Sequence, residues 1–214
     1  MDATDKEHAI LRYAKRTAEF GPTAQALGWR DREQQELRFQ ILAEIGDLDG
    51  KSVLDVGCGF GDFYDYVAAQ GKQVDYVGVD ISPDLLAVAR ERHPQARFEE
   101  RDILMEPMQE HFDYVIESGV FNHILRDNEG FVRQMLASMF EMSRVGMAAN
   151  MMTTHVDYQE EQLHYYDPDE YIDYCKTLSP HVAIRQDYPL YEFTIYTYRS
   201  PASVPPVIRQ ENGP

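Results

Sequence analysis

Residues 53–63 read Val-Leu-Asp-Val-Gly-Cys-Gly-Phe-Gly-Asp-Phe, and the rest of the chain is organised around them. The stretch opens as a short apolar run, 53–56, of the kind a buried parallel strand shows. Three glycines then fall at alternate positions, Gly57, Gly59 and Gly61. Residues 63–69 are helix-compatible. A strand, a glycine turn and a helix N-terminus make a ligand cradle at the C-terminal edge of a sheet. Glycine suits that turn because a Cβ would keep a ligand away from the backbone N–H groups. The spacing is G-x-G-x-G, not the G-x-G-x-x-G of dinucleotide enzymes.

Working outward, residues 74–80 read as a second strand ending in Asp80, nineteen residues after Gly61. An acid at the tip of that strand is placed to accept hydrogen bonds from ribose hydroxyls. Ser82-Pro83 then starts a helix, with serine as cap and proline at its first position. A third strand over 96–101 closes at Asp102-Ile103. A fourth over 112–116 runs into Glu117-Ser118-Gly119.

These landmarks, with Asp55 inside the first strand, resemble the ordered motifs of class I S-adenosylmethionine (SAM) methyltransferases. The resemblance covers about residues 53–123. It implies a single Rossmann-like α/β domain, with a mostly parallel seven-stranded sheet, helices on both faces and an antiparallel last strand. It also implies that Asp55, Gly57, Cys58, Gly59 and Gly61 cradle the cofactor. Asp80 and Ile81 would hold its ribose side, Asp102 and Ile103 its adenine, and Glu117 and Ser118 would stand at the fourth strand end. The Asn/Asp/Ser-Pro-Pro-Tyr element of enzymes that methylate exocyclic or amide nitrogens is absent. Glu117-Ser118-Gly119-Val120 stands in its place, which turns the reading away from adenine, cytosine or glutamine N-methylation.

Ahead of the glycine stretch, residues 7–20 read as an amphipathic helix with Ile10, Tyr13, Ala14, Thr17 and Ala18 on one face. Gly21-Pro22 ends it. Asp31 with Gln34 resembles a capping box for a second helix that stops at Gly46. In the resembling family such helices cover the cofactor, so 1–50 is expected to form a lid over a core at 51–200. Trp29 and Phe39 suit that lid, and Arg38 suits a carboxylate partner. After the fourth strand, Asp127 begins a helix whose core face carries Phe131, Met135, Leu136 and Met139, and 145–152 reads as a fifth strand. Asp167-Pro168 opens a last helix. Residues 182–188 and 193–199 read as a closing hairpin, and 201–214 as an irregular tail.

Ligands of open α/β sheets sit beyond the strand C-termini. With the first three strand ends given to SAM, the acceptor falls to the fourth strand end and the loop after the fifth. Asn122, His123, His155, Tyr158, His164 and Tyr165 are the candidate acceptor-binding residues. His123 is the candidate base, because an unperturbed histidine titrates near about 6.5.

The net charge of −17 disfavours binding to nucleic-acid phosphate or to anionic membranes. Two cysteines, Cys58 and Cys175, are too few for a disulfide framework, and nothing suggests a metal. Without an N-terminal apolar segment or a membrane-length apolar run, a reducing cytoplasm is the expected compartment. The expected function is methyl transfer from SAM to a small-molecule acceptor, by a monomer or homodimer, with S-adenosylhomocysteine (SAH) as product. A protein or peptide acceptor, a SAM-binding regulatory protein without turnover and a nicotinamide-dependent oxidoreductase are the competing readings. The glycine spacing and Asp102 argue against the last.

Overall fold

The computed structural model describes residues 1–205. Strands β1 (Ser52–Val56), β2 (Asp75–Asp80), β3 (Arg97–Glu100), β4 (Phe112–Ser118), β5 (Ser143–Met152), β6 (His181–Arg185) and β7 (Glu192–Tyr198) form one sheet. Their order is β3-β2-β1-β4-β5-β7-β6. β7 runs antiparallel to both of its neighbours, and the other pairings are parallel. The expected seven-stranded sheet with an antiparallel last strand is therefore present.

The helices are α1 (Ala3–Phe20), α2 (Arg32–Ala43), α3 (Asp62–Ala69), α4 (Pro83–Arg92), α5 (Asn128–Met142) and α6 (Pro168–Leu178). Local chemistry sets their starts. The Asp2 carboxylate accepts the Asp5 N–H at 2.8 Å and Asp31 accepts that of Gln34 at 2.8 Å. Asp127 accepts the Gly130 N–H at 2.8 Å. Pro83 and Pro168 each occupy a first turn, where a missing N–H costs nothing. The first helix starts four residues earlier than its apolar pattern indicates, because Asp2 supplies the cap.

α2, α3 and α4 cover one face of the sheet, through residues such as Leu42, Phe63 and Leu86. α5 and α6 cover the other, where Phe131, Met135 and Met139 are buried as their spacing indicated. The side chains of Leu54, Val77 and Val115 are almost wholly buried between them. Each such burial contributes about 1.5–3 kcal/mol. Because α3 and α4 lie on one face and α5 on the other, the winding reverses between β1 and β4. Register puts Val56 beside both Val79 and Glu117, so the tips of β1, β2 and β4 end together at that switch point. Such a reversal opens a crevice at the strand C-termini.

The tail forms a short 3-10 turn at Pro201–Ser203; the rest of the expected irregular segment, from Pro206, lies outside the described residues. No described helix is long and apolar enough to cross a membrane.

Candidate active site

A cavity lies over the tips of β1, β2 and β4. Its floor is the glycine turn, and its wall includes Asp55, Cys58, Asp80, Ile81, Asp102 and Ile103. Gly57, Gly59 and Gly61 all have positive φ, at 75°, 53° and 80°. At Gly57 a Cβ would also stand 2.2 Å from Val120 Cγ2, so the turn and the loop after β4 can approach only because that position is glycine. Gly61 caps α3 and sits behind the cavity wall, its N–H donating to the Cys58 carbonyl at 2.9 Å.

Asp80 braces the turn. One carboxylate oxygen accepts the Gly59 N–H at 3.0 Å and the other accepts the Ser82 N–H at 2.9 Å. Burial pushes its carboxyl upward, and these N–H bonds oppose the shift. Asp55 accepts the Tyr76 hydroxyl at 2.6 Å. Burial raises its carboxyl to about 7, with Tyr76 opposing and the nearby Asp80 and Asp62 adding to the rise. Glu117 does not reach the cavity. Its carboxyl is fully buried and takes the Val120 N–H, and burial drives it well above the usual carboxylate range.

The N-terminal segment roofs the cavity. Ala9 and Tyr13 of α1 line it, with Leu27, Trp29, Gln35 and Phe39. Trp29 lies hard against Gly119, where a Cβ would meet its ring at 2.6 Å. α1 is held across the opening by exposed or half-exposed polar contacts. Lys6 stands 3.8 Å from Asp102, and Asp2 pairs with Arg126 at 3.3 Å. Each such pair is worth about 1 kcal/mol or less. Trp29 is the single tryptophan, so its fluorescence is expected to change on saturation with SAH; an unchanged emission would contradict a roof that responds to ligand.

Arg38 stands apart from the cavity. Its guanidinium grips the buried Glu192 carboxylate through two nitrogens and stacks 4.1 Å over Trp29. The carboxylate it was expected to meet belongs to the chain itself.

Of the six acceptor candidates only His123 lines the cavity. The segment carrying the others does run beside it, through backbone pairing of His123 with Leu163 and Thr153 with Tyr166. That pairing occupies main-chain groups and leaves the side chains off the cavity. Asn122 is buried: its main-chain carbonyl accepts the His164 N–H at 2.9 Å, and its side-chain Oδ1 has no partner among the described residues. The His164 ring lies against Tyr166 and 3.5 Å from Glu129. The Tyr165 hydroxyl accepts the Glu160 N–H, His155 is exposed, and Tyr158 is 75% exposed.

His123 is itself firmly held. Asn128 Nδ2 donates to its carbonyl at 2.8 Å, and the Tyr166 hydroxyl holds the Phe121 carbonyl at 2.8 Å. Its Nε2 meets the Tyr13 hydroxyl at 3.2 Å, while its Nδ1 is buried without a partner among the described residues. Burial, then the charges of Arg12 and Arg16, lower its pKa to about 4. It is therefore neutral at pH 7 and far weaker as a base than a free histidine. Tyr13, on the expected apolar face of α1, was not singled out in the sequence; its signal was only that periodicity.

A methyltransferase-domain family model matches residues 53–146. A Mycobacterium tuberculosis protein named as a methyltransferase is 36% identical over 158 residues, covering 71% of this chain and 95% of that protein. Magnesium protoporphyrin IX methyltransferase from Synechocystis, solved with SAH bound, shares the fold with a TM-score of 0.60 at 16% identity, over 79% of this chain and 83% of its own. The chain belongs to the class I SAM-dependent methyltransferases. The methyltransferase also resembles trans-aconitate 2-methyltransferase of Afipia carboxidovorans, at 35% identity over 37% of this chain and 30% of that one. It further resembles malonyl-[acyl-carrier protein] O-methyltransferase of Pectobacterium atrosepticum, at 41% identity over 30% of this chain and 24% of the other. Both alignments are local. Its cofactor is SAM.

Proposed function

We propose that this enzyme methylates a small-molecule acceptor held beside His123, under the roof made by α1 and Trp29. What supports the reading is that Tyr13 and Trp29 of the N-terminal segment line the cavity together with the glycine turn, so that part of its wall lies above the strand tips. The small acid named for one relative, trans-aconitate, supports the same class.

SAM supplies an electrophilic methyl group; the chain supplies position and environment. The cavity suits it. The glycine turn offers backbone without Cβ atoms. Asp80 keeps unused lone pairs on both oxygens after binding Gly59 and Ser82, enough for two ribose hydroxyls. Ile81 and Ile103 offer apolar flanks for adenine, with Asp102 at the rim, and Ser118 bounds the far end. Holding the two reactants in line can supply about 7–11 kcal/mol of the barrier. Two buried, unpaired cysteines fit the expected reducing cytoplasm.

Asp55 provides a pH test. Being neutral below about 7 and charged above, it favours a cationic ligand only in its charged form. SAM affinity is therefore expected to rise as pH passes from 6 to 8, and Asp55→Asn to flatten that rise. Calorimetric affinity that stays constant across this range in the parent enzyme would contradict the assignment. Function is tested by SAH release with candidate acceptors. SAM-dependent SAH formation with small molecules is expected; release only with polypeptide acceptors would overturn the reading.

A further inference from the structure

We propose that Tyr13 and His123 form a recognition pair for an acceptor that arrives already anionic, a carboxylate, with Tyr13 as the positioning residue that decides which ring nitrogen of His123 carries the proton. The inference rests on the acceptor end assigned above and deepens it.

The argument begins with the phenol. Burial and the charge of Asp80 push the Tyr13 hydroxyl up to about 12, against Arg12 and Arg16, with Glu117 adding to the rise. It therefore keeps its proton at neutral pH, and its hydrogen-bond partner is His123 Nε2. A neutral imidazole has one donor and one acceptor nitrogen. A neutral phenol can donate or accept; taken as the donor to Nε2, it puts the ring proton on Nδ1. That Nδ1–H is buried and unmatched among the described residues. His123 so held offers a ligand a donor, and it has no lone pair left with which to take a proton.

The surrounding charge is mixed: Arg12 and Arg16, both on α1, are felt at His123, while Asp80 and Glu117 are felt at Tyr13 and Asp55, Asp80 and Asp102 line the same cavity. What suits an anion here is the neutral donor itself. An amine would arrive as an ammonium ion and need a base to remove its proton.

The chemistry balances without a base. A carboxylate oxygen lone pair forms the new O–CH3 bond as the S–CH3 bond breaks, and that bond's electron pair passes to sulfur. The products are a neutral methyl ester and a neutral thioether, and no proton is released. Negative and positive charge cancel along the path, which a dry cavity favours.

The test has two readouts on the full chain with SAH affinity measured alongside. The first is long-range 15N–1H NMR of the histidine rings with SAH bound, the His123 signals assigned from a His123→Gln variant. Protonation at Nδ1 is expected at pH 7, with Tyr13→Phe shifting it toward the other tautomer; a proton on Nε2 in the parent protein overturns the proposal. The second is methyl transfer from labelled SAM to short mono-, di- and tricarboxylates, their amides, and primary amines. Base-labile methyl ester from at least one carboxylate is expected, with Tyr13→Phe lowering kcat/KM about tenfold or more, one hydrogen bond's worth, while SAH affinity stays within about twofold. Transfer to amines only, no transfer to any carboxylate, or a Tyr13→Phe enzyme of unchanged kcat/KM overturns it. If SAH itself fails to bind, it is the cofactor site that falls; if SAH binds fully and these results fail, only the recognition pair does.

Discussion

Asp80→Ala is expected to weaken SAM binding by about 10²–10⁴-fold, the loss of two hydrogen bonds to a charged group at about 1.5–3 kcal/mol each. The carboxylate fixes the Gly59 and Ser82 N–H groups and lines the cavity. The fold should survive, because the core beneath the turn is made by Leu54, Val77 and Val115. Calorimetry at matched conditions checks the affinity and a melting curve checks the fold. A folded variant with unchanged SAM affinity would remove Asp80 from the cofactor site.

Arg38→Met is expected to destabilise the enzyme by about 3–5 kcal/mol, the usual result of leaving one charge of a buried pair alone. Both partners are nearly inaccessible, at 7% and 2% exposure. For a domain of this size that is a fall in melting temperature of roughly 6–20 °C. The stranded Glu192 should titrate above the ordinary carboxylate range, so the variant should be least stable at high pH and regain stability as the pH falls and the acid is protonated. Restoring balance with Glu192→Leu in the same chain should recover much of the loss. A fall below about 1 kcal/mol, with no pH dependence, would mean that the pair contributes nothing beyond packing.

These two residues also mark where the sequence was legible. Asp80 could be placed because its setting is local: a strand, a glycine turn and an acid at the next strand tip lie within thirty residues. The individual strands and helices could be placed for the same reason, from caps and apolar runs, whereas the seven-stranded sheet was implied by the family resemblance. Arg38 could not be read fully, since its carboxylate partner is Glu192, 154 positions away, and nothing in either neighbourhood announces the other. The Tyr13–His123 contact spans 110 positions and was hidden likewise, although each residue was seen separately. His155, Tyr158, His164 and Tyr165 lie off the cavity they were expected to line. Their place after a strand end pointed to the ligand side, but backbone pairing at Thr153–Tyr166 and His123–Leu163 folds that segment back. The histidine-like base expected at His123 changes for a physical reason too: burial and two arginines hold its pKa near 4, so its own titration should leave the rate flat between pH 6 and 8.

The most direct test of the central claim, that this cavity is a SAM site, is a crystal structure of the enzyme with SAH at saturation. The account predicts SAH in the cavity over β1, β2 and β4, with its ribose hydroxyls on Asp80, its adenine between Ile81 and Ile103, and its sulfur toward His123. SAH bound elsewhere, or lying in this cavity with Asp80 out of contact, would contradict it.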